Sequence, residues 1–210
     1  MGRRSTHTPE ELRQLILDAS RSLIEARGLI GYSAREIART IGYSAGTLYN
    51  VFKDLDDVLL TLQEQLLDDA AVHLRELTTT KDKRDMLTVL AHGYVQFAIE
   101  NRHLWNLLFQ HQPPRNGTQP DRLHRGINEI VAIVAQTVAP ILPHAKPEEI
   151  DRSARILWAG VHGMTAIAVT DKAPTLIGST APAYVNELTS TFVRGLQAKM
   201  LVLPAAQGSQ

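Results

Sequence analysis

The stretch SAREIARTIGYSAGTLYNVF, residues 33–52, constrains this chain more than any other. Ser33 stands before a helical pattern and Glu36 follows three residues later, the pairing in which each side chain caps the other's backbone N–H. Gly42 falls where a left-handed residue stops that helix, and Ser44 stands at the N-cap of a second, short one. Ile37, Ala38, Ile41, Leu48 and Val51 are the apolar positions that pack the two together. The spacing predicts a helix over 33–41, a short turn and a helix over 44–51. That is a helix-turn-helix whose second helix has the size to enter a DNA major groove.

The rest of the chain also reads as helix, with no run of alternating β-branched residues. Thr8-Pro9-Glu10-Glu11 supplies N-cap, N1 proline and N3 glutamate for a helix over 9–27. Its expected inward stripe is Leu12, Leu15, Ile16, Ala19, Leu23 and Ala26. Asp54 caps a fourth helix running to about Leu77, and Asp82 caps a fifth over 83–100. Further helices are expected over 101–111, 121–138, 147–170 and 182–201, with loops at 112–120 and 172–182. The fold class is therefore all-α. The expected domains are a DNA-binding unit at 8–54, a connecting helix at 55–77, and a helical ligand-binding and dimerisation unit spanning 55–203.

Composition excludes more than it assigns. Lys plus Arg number 22 and Asp plus Glu 22, so overall charge points to no partner. Residues 1–53 carry eight cations against five acids, a mild basic bias. There is no Cys, hence neither disulfide nor thiolate metal site. No apolar run of about 18 residues is present, so a soluble cytoplasmic protein is expected, with no membrane partner. Eight His are scattered without metal-ligand spacing. No phosphate loop, zinc-protease motif or nucleophile elbow occurs, so neither enzyme activity nor a cofactor is expected.

The residues Ile37, Ala38, Gly42, Ser44, Gly46, Thr47, Leu48, Tyr49 and Phe52 match the run x-x-IA-x-x-x-G-x-S-x-G-T-L-Y-x-x-F. In this the chain resembles the DNA-binding domain of TetR-type transcriptional regulators, over about residues 9–60. Trp158, His162 and Gly163 also resemble the Trp–His–Gly stretch of one group of TetR-type C-terminal domains. One position departs. The family often has a phosphate-reaching Lys where this chain has Leu55, followed by acids, and Lys53 stands in its place as the phosphate contact.

The resemblance implies a homodimer bound to double-stranded DNA and a small-molecule effector that releases it. The expected DNA contacts are Ser33, Arg35, Tyr43, Ser44, Ala45, Gly46, Thr47, Tyr49, Asn50 and Lys53, with Arg3 and Arg4 as a minor-groove arm. Asn50 has the donor–acceptor pair that reads adenine. Each has a plainer reading: Ser33 and Ser44 as caps alone, Tyr49 as a core aromatic, Arg3 and Arg4 as a solvated tail. The expected ligand-pocket residues are His92, Tyr94, Phe97, His103, Trp105, Phe109, Trp158 and His162, against ordinary packing. Ala159, Gly160, Gly163, Ala166, Ala168, Tyr184, Leu188 and Phe192 are the expected dimer contacts, because an all-round apolar helix needs burial on more than one side. The competing readings are a ligand-independent regulator or activator, and an enzyme with an appended helix-turn-helix.

Overall fold

A computed structural model describes residues 7–79, 85–111, 120–170 and 181–202. Among them are eight α-helices, α1 Pro9–Arg27, α2 Ala34–Ile41, α3 Leu55–Thr78, α4 Met86–Glu100, α5 Arg102–Gln110, α6 Pro120–Val138, α7 Pro147–Ala168 and α8 Ala181–Val202. Two 3-10 helices, Ala45–Asn50 and Ala139–Ile141, complete the order, and no strand occurs among the described residues. Arg3, Arg4, Asp82, nearly all of the two expected loops, and the C-terminal tail lie outside the described residues.

The chain divides into two compact units, Met1–Asp68 with Asn101–Leu123, and Asp69–Glu100 with His124–Gln210. In the first, α1 packs on α2 and α5. Its core holds Ile16, Ile24, Ile37, Leu48, Leu104 and Trp105, each at most 1% exposed. Burying one such aliphatic side chain contributes about 1.5–3 kcal/mol. In the second, α4, α7 and α8 pack on one another. Gly93 lets α4 approach α3 closely, since a Cβ there would collide with the Leu77 side chain.

Local chemistry explains most helix ends. Thr8 Oγ1 accepts from the Glu11 N–H at 3.2 Å, and Glu11 Oε2 accepts from the Thr8 N–H at 2.7 Å. Asp54 Oδ1 accepts from the Asp57 N–H at 2.8 Å, capping α3. Gly42 ends α2 at φ 74°, a left-handed conformation that an L side chain resists.

Four expectations need correction. The α1 stripe is Leu12, Ile16, Leu17, Ala19, Ser20 and Ile24, whereas Ala26 is exposed. The capping box at Ser33 is half formed: Ser33 accepts from the Glu36 N–H, but the Glu36 carboxylate turns to Arg27 and Arg39. The segment expected as an α-helix over 44–51 is 3-10 over Ala45–Asn50. Ser44 makes no capping bond to its backbone, and its hydroxyl instead meets Thr47 Oγ1 at 2.9 Å. Finally, Asp85, expected inside the fifth helix, sits at φ 55° just before α4 opens at Met86, since a left-handed residue cannot continue a right-handed helix; residues 83 and 84 lie outside the described residues.

Candidate nucleic-acid interface

A 3-10 helix has three residues per turn, so side chains three apart lie in line. Ala45 and Leu48 therefore form one edge of the short helix. Leu48, 1% exposed, is its anchor in the core. The other two edges are Gly46 with Tyr49, and Thr47 with Asn50. Tyr49 is 55% exposed, which removes the core-aromatic alternative. Gly46, Asn50, Lys53, Ser44 and Arg35 are exposed too, while Ser33, Tyr43, Ala45 and Thr47 are half-buried. Hydroxyl, amide and ammonium groups thus line the outer side of one segment anchored by Leu48.

The support beneath is ionic and aromatic. Arg13 of α1 donates to the Val51 carbonyl at 3.1 Å and to Thr61 Oγ1 at 3.3 Å. Its guanidinium carbon also lies over the ring of Phe52. Arg122, in the first turn of α6, donates to Asp57 at 3.1 Å, to the same Thr61 hydroxyl at 3.2 Å, and to both oxygens of Glu64. Arg27 and Arg39 each pair with Glu36 at 2.8 Å and hold its carboxyl down at about 2. His7 Nδ1 lies 2.6 Å from the Tyr43 hydroxyl in the turn.

His7 and Arg13 thus join the site without belonging to its motif. Arg13 left a faint trace in the sequence: the apolar Ile16 and Leu17 stand three and four residues on, so a cation borders an inward face. His7 left none, since its contact with Tyr43 spans 36 residues.

Residues 16–62 match the model of the bacterial regulatory proteins of the tetR family, and residues 87–191 match the tetracyclin repressor-like C-terminal domain. The chain belongs to the TetR family. It is a DNA-binding transcriptional regulator by domain content and fold. An HTH-type transcriptional regulator of Staphylococcus aureus is 28% identical over 96 residues, 45% of this chain and 52% of the relative. The match therefore spans about half that relative's length. A Rhodococcus protein of unknown function is similar in structure, with a TM-score of 0.70 and 26% identity over 93% of this chain and 100% of that one. FadR of Bacillus subtilis, solved with stearoyl-CoA, has a TM-score of 0.62 and 15% identity over 87% of this chain and 98% of its own.

The expected ligand-pocket residues of this TetR-family chain divide between the units. His103, Trp105 and Phe109 lie on α5 in the first, where Trp105 is fully buried and Phe109 is 43% exposed. In the second, His92 meets Asn186 at 2.6 Å and Phe97 packs on His73. Only Tyr94, Trp158 and His162 form one cluster there: the Tyr94 hydroxyl is 2.7 Å from His162 Nδ1 and accepts from Trp158 Nε1 at 3.2 Å. The imidazole stacks on the indole with ring centres 5.0 Å apart. Burial pushes the Tyr94 phenol well up and the His162 imidazole down, so both are neutral near pH 7.

Of the expected dimer contacts, Ala159, Gly163 and Tyr184 are exposed; Gly160, Ala166, Ala168, Leu188 and Phe192 are half-buried. Gly160 faces Leu188 of its own chain. Ile156, 58% exposed, extends the Ala159–Gly163 strip by one turn. Among the described residues, no cluster of three His, Asp or Glu is placed to hold a metal ion, and no helix is long and apolar enough to cross a membrane.

Proposed function

We propose that this TetR-family protein is a homodimeric repressor that a small molecule releases from a palindromic operator in the cytoplasm. Residues 8–54 read DNA, α3 is the connecting lever, and residues 55–203 pair the protomers and receive the effector. The observation that carries the reading is the division of α7 into two faces. Ile156, Ala159 and Gly163 face out as an apolar strip with no bulky side chain after Ile156, while Trp158 and His162 turn toward Tyr94.

A single short recognition segment reads few bases, so specificity calls for two copies on half-sites about one helical turn apart. The small residues of the outer strip suit close helix approach between protomers. That FadR of Bacillus subtilis, a protein of the same fold, was solved with stearoyl-CoA supports a small-molecule effector. To release DNA, the effector must favour the DNA-incompetent geometry, with a coupling of about 1–3 kcal/mol.

The test is selection of bound DNA from a random pool, repeated with a panel of small molecules. A palindromic enriched site, lost in the presence of one compound, is the expected result. No enriched sequence would overturn the operator; enrichment without symmetry would overturn the dimer; enrichment insensitive to every compound would count against release.

A further inference from the structure

Two cavities in the second unit meet at one side chain. The larger, about 910 Å³, is half-open and lined by groups including Asp85, Thr88, Thr137, Asn186, Thr189 and Arg194. The smaller is a slot with about 20 Å³ of free volume, lined by Leu74, Leu90, Ile130, Val134 and Val161 together with Tyr94 and Trp158. Leu87 lines both, so it is the partition between mouth and slot. The slot has room for about one water and its walls are mostly apolar, so a larger guest must displace side chains that line it.

We infer that the slot is a binding site for an uncharged, apolar small molecule carrying one hydrogen-bonding group, admitted from the larger cavity past Leu87 and read by Tyr94, Trp158 and His162. This rests on the effector-released reading above. Tyr94 and Trp158 set the chemistry. The Trp158 N–H can only donate, and it reaches Tyr94 at a long 3.2 Å. A guest hydroxyl inserted there accepts from Trp158 and donates to the Tyr94 oxygen, so each bond broken is replaced. Such an exchange costs little, whereas leaving either group unmet costs a full desolvation penalty.

Charge decides between guest classes. Among the described residues lining the slot none is a cation, and the imidazole beside it is held neutral by burial. A carboxylate entering would shed its water with no counter-charge to replace it. A neutral guest of the same shape escapes that cost. Readout follows from position: Trp158 and His162 are one turn apart on α7, each followed at the next residue by the exposed Ala159 and Gly163. A guest that displaces the indole shifts the strip on which the proposed dimer is built.

The protein has two Trp, so the full-length Trp105→Phe variant leaves Trp158 as the single indole reporter. It is titrated at neutral pH with 4-ethylphenol and with 4-ethylbenzoate, which differ in charge more than in shape. The wild-type melting temperature with the same compounds serves if Trp105→Phe folds poorly. The expected result is a saturable change in Trp158 emission with 4-ethylphenol at a Kd below about 1 mM, at least about tenfold weaker binding of 4-ethylbenzoate, and a loss of about tenfold for 4-ethylphenol in Tyr94→Phe. Absence of saturable binding, equal affinity for the two compounds, or a Tyr94→Phe variant that binds unchanged would each overturn the site. Operator affinity is measured in parallel. Binding at Trp158 without operator release leaves the site standing and defeats the effector reading; release that persists in Tyr94→Phe does the reverse.

Discussion

The guanidinium carbon of Arg13 lies 4.1 Å from the centre of the Phe52 ring. Phe52 is 2% exposed and stands two residues past the short 3-10 helix, whose end Arg13 also ties down through the Val51 carbonyl. One side chain of α1 thus stacks on the ring just past the short 3-10 helix and bonds to the carbonyl that ends it. A planar cation with a fork of donors can do both, and an ammonium cannot.

Arg13→Ala removes the stacked cation and two donated bonds, so it should cost about 1–3 kcal/mol and lower the melting temperature. Affinity for operator and for random DNA should fall together, because Arg13 aims the segment rather than reading bases. Arg13→Lys should recover little of either. Calorimetry and anisotropy titrations at fixed salt check this.

Tyr49 and Asn50 lie on different edges of the 3-10 helix and should fail differently. Tyr49→Phe and Lys53→Ala should weaken all DNA binding, and Lys53→Ala should reduce the slope of log affinity against log salt by about 1. Asn50→Ala should change the preferred sequence at one position of each half-site, at about 1–3 kcal/mol. Competition among single-base operator variants separates the two effects.

Donation from Arg39 and Arg27 holds the Glu36 carboxyl at about 2, below its ordinary 4.5. A depressed folded value means that the ion pairs contribute stability above pH 4.5 and that it is lost as pH falls toward about 2. Glu36 is half-buried but both arginines are exposed, so the contribution should shrink in high salt. Urea midpoints across this range should be less pH-dependent in Glu36→Gln than in wild type, and the two should converge in concentrated NaCl.

Burial lowers the His162 pKa from 6.5. The unfolded chain then takes up its proton first as pH falls, so the second unit should lose stability from about 6.5 downward through the lowered folded value. His162→Phe should flatten that decline. Trp158 emission should report the same transition, since the imidazole stacks on it.

A Cβ on Gly163 meets nothing within 4 Å. Gly163→Arg therefore has room within the protomer and replaces a poor helix former by a good one. If the Ile156–Gly163 strip joins two copies, the variant should run as a monomer in sedimentation, keep its helical circular dichroism, and lose operator affinity while retaining weak binding to random DNA. A Gly163→Arg dimer would place the interface elsewhere.

The sequence by itself determined the helices, several of their caps and the helix-turn-helix motif. These are local properties: Thr8 with Glu11, Asp54 with Asp57 and Gly42 after Ile41 all act within one turn, and burial of Leu48 follows from its neighbours. It also marked Trp158 and His162 as sharing a helix face. Tertiary structure alone decided the rest. That α5 packs on α1, taking Trp105 into the first unit, depends on which apolar stripes meet, and no stripe names its partner. The 3-10 form of Ala45–Asn50 arose where Ser44 bonded the Thr47 side chain and left the backbone uncapped. Arg13 found Phe52 across 39 positions, and Tyr94 found Trp158 and His162 across 64 and 68, because buried polar groups must take whatever partner packing brings within reach.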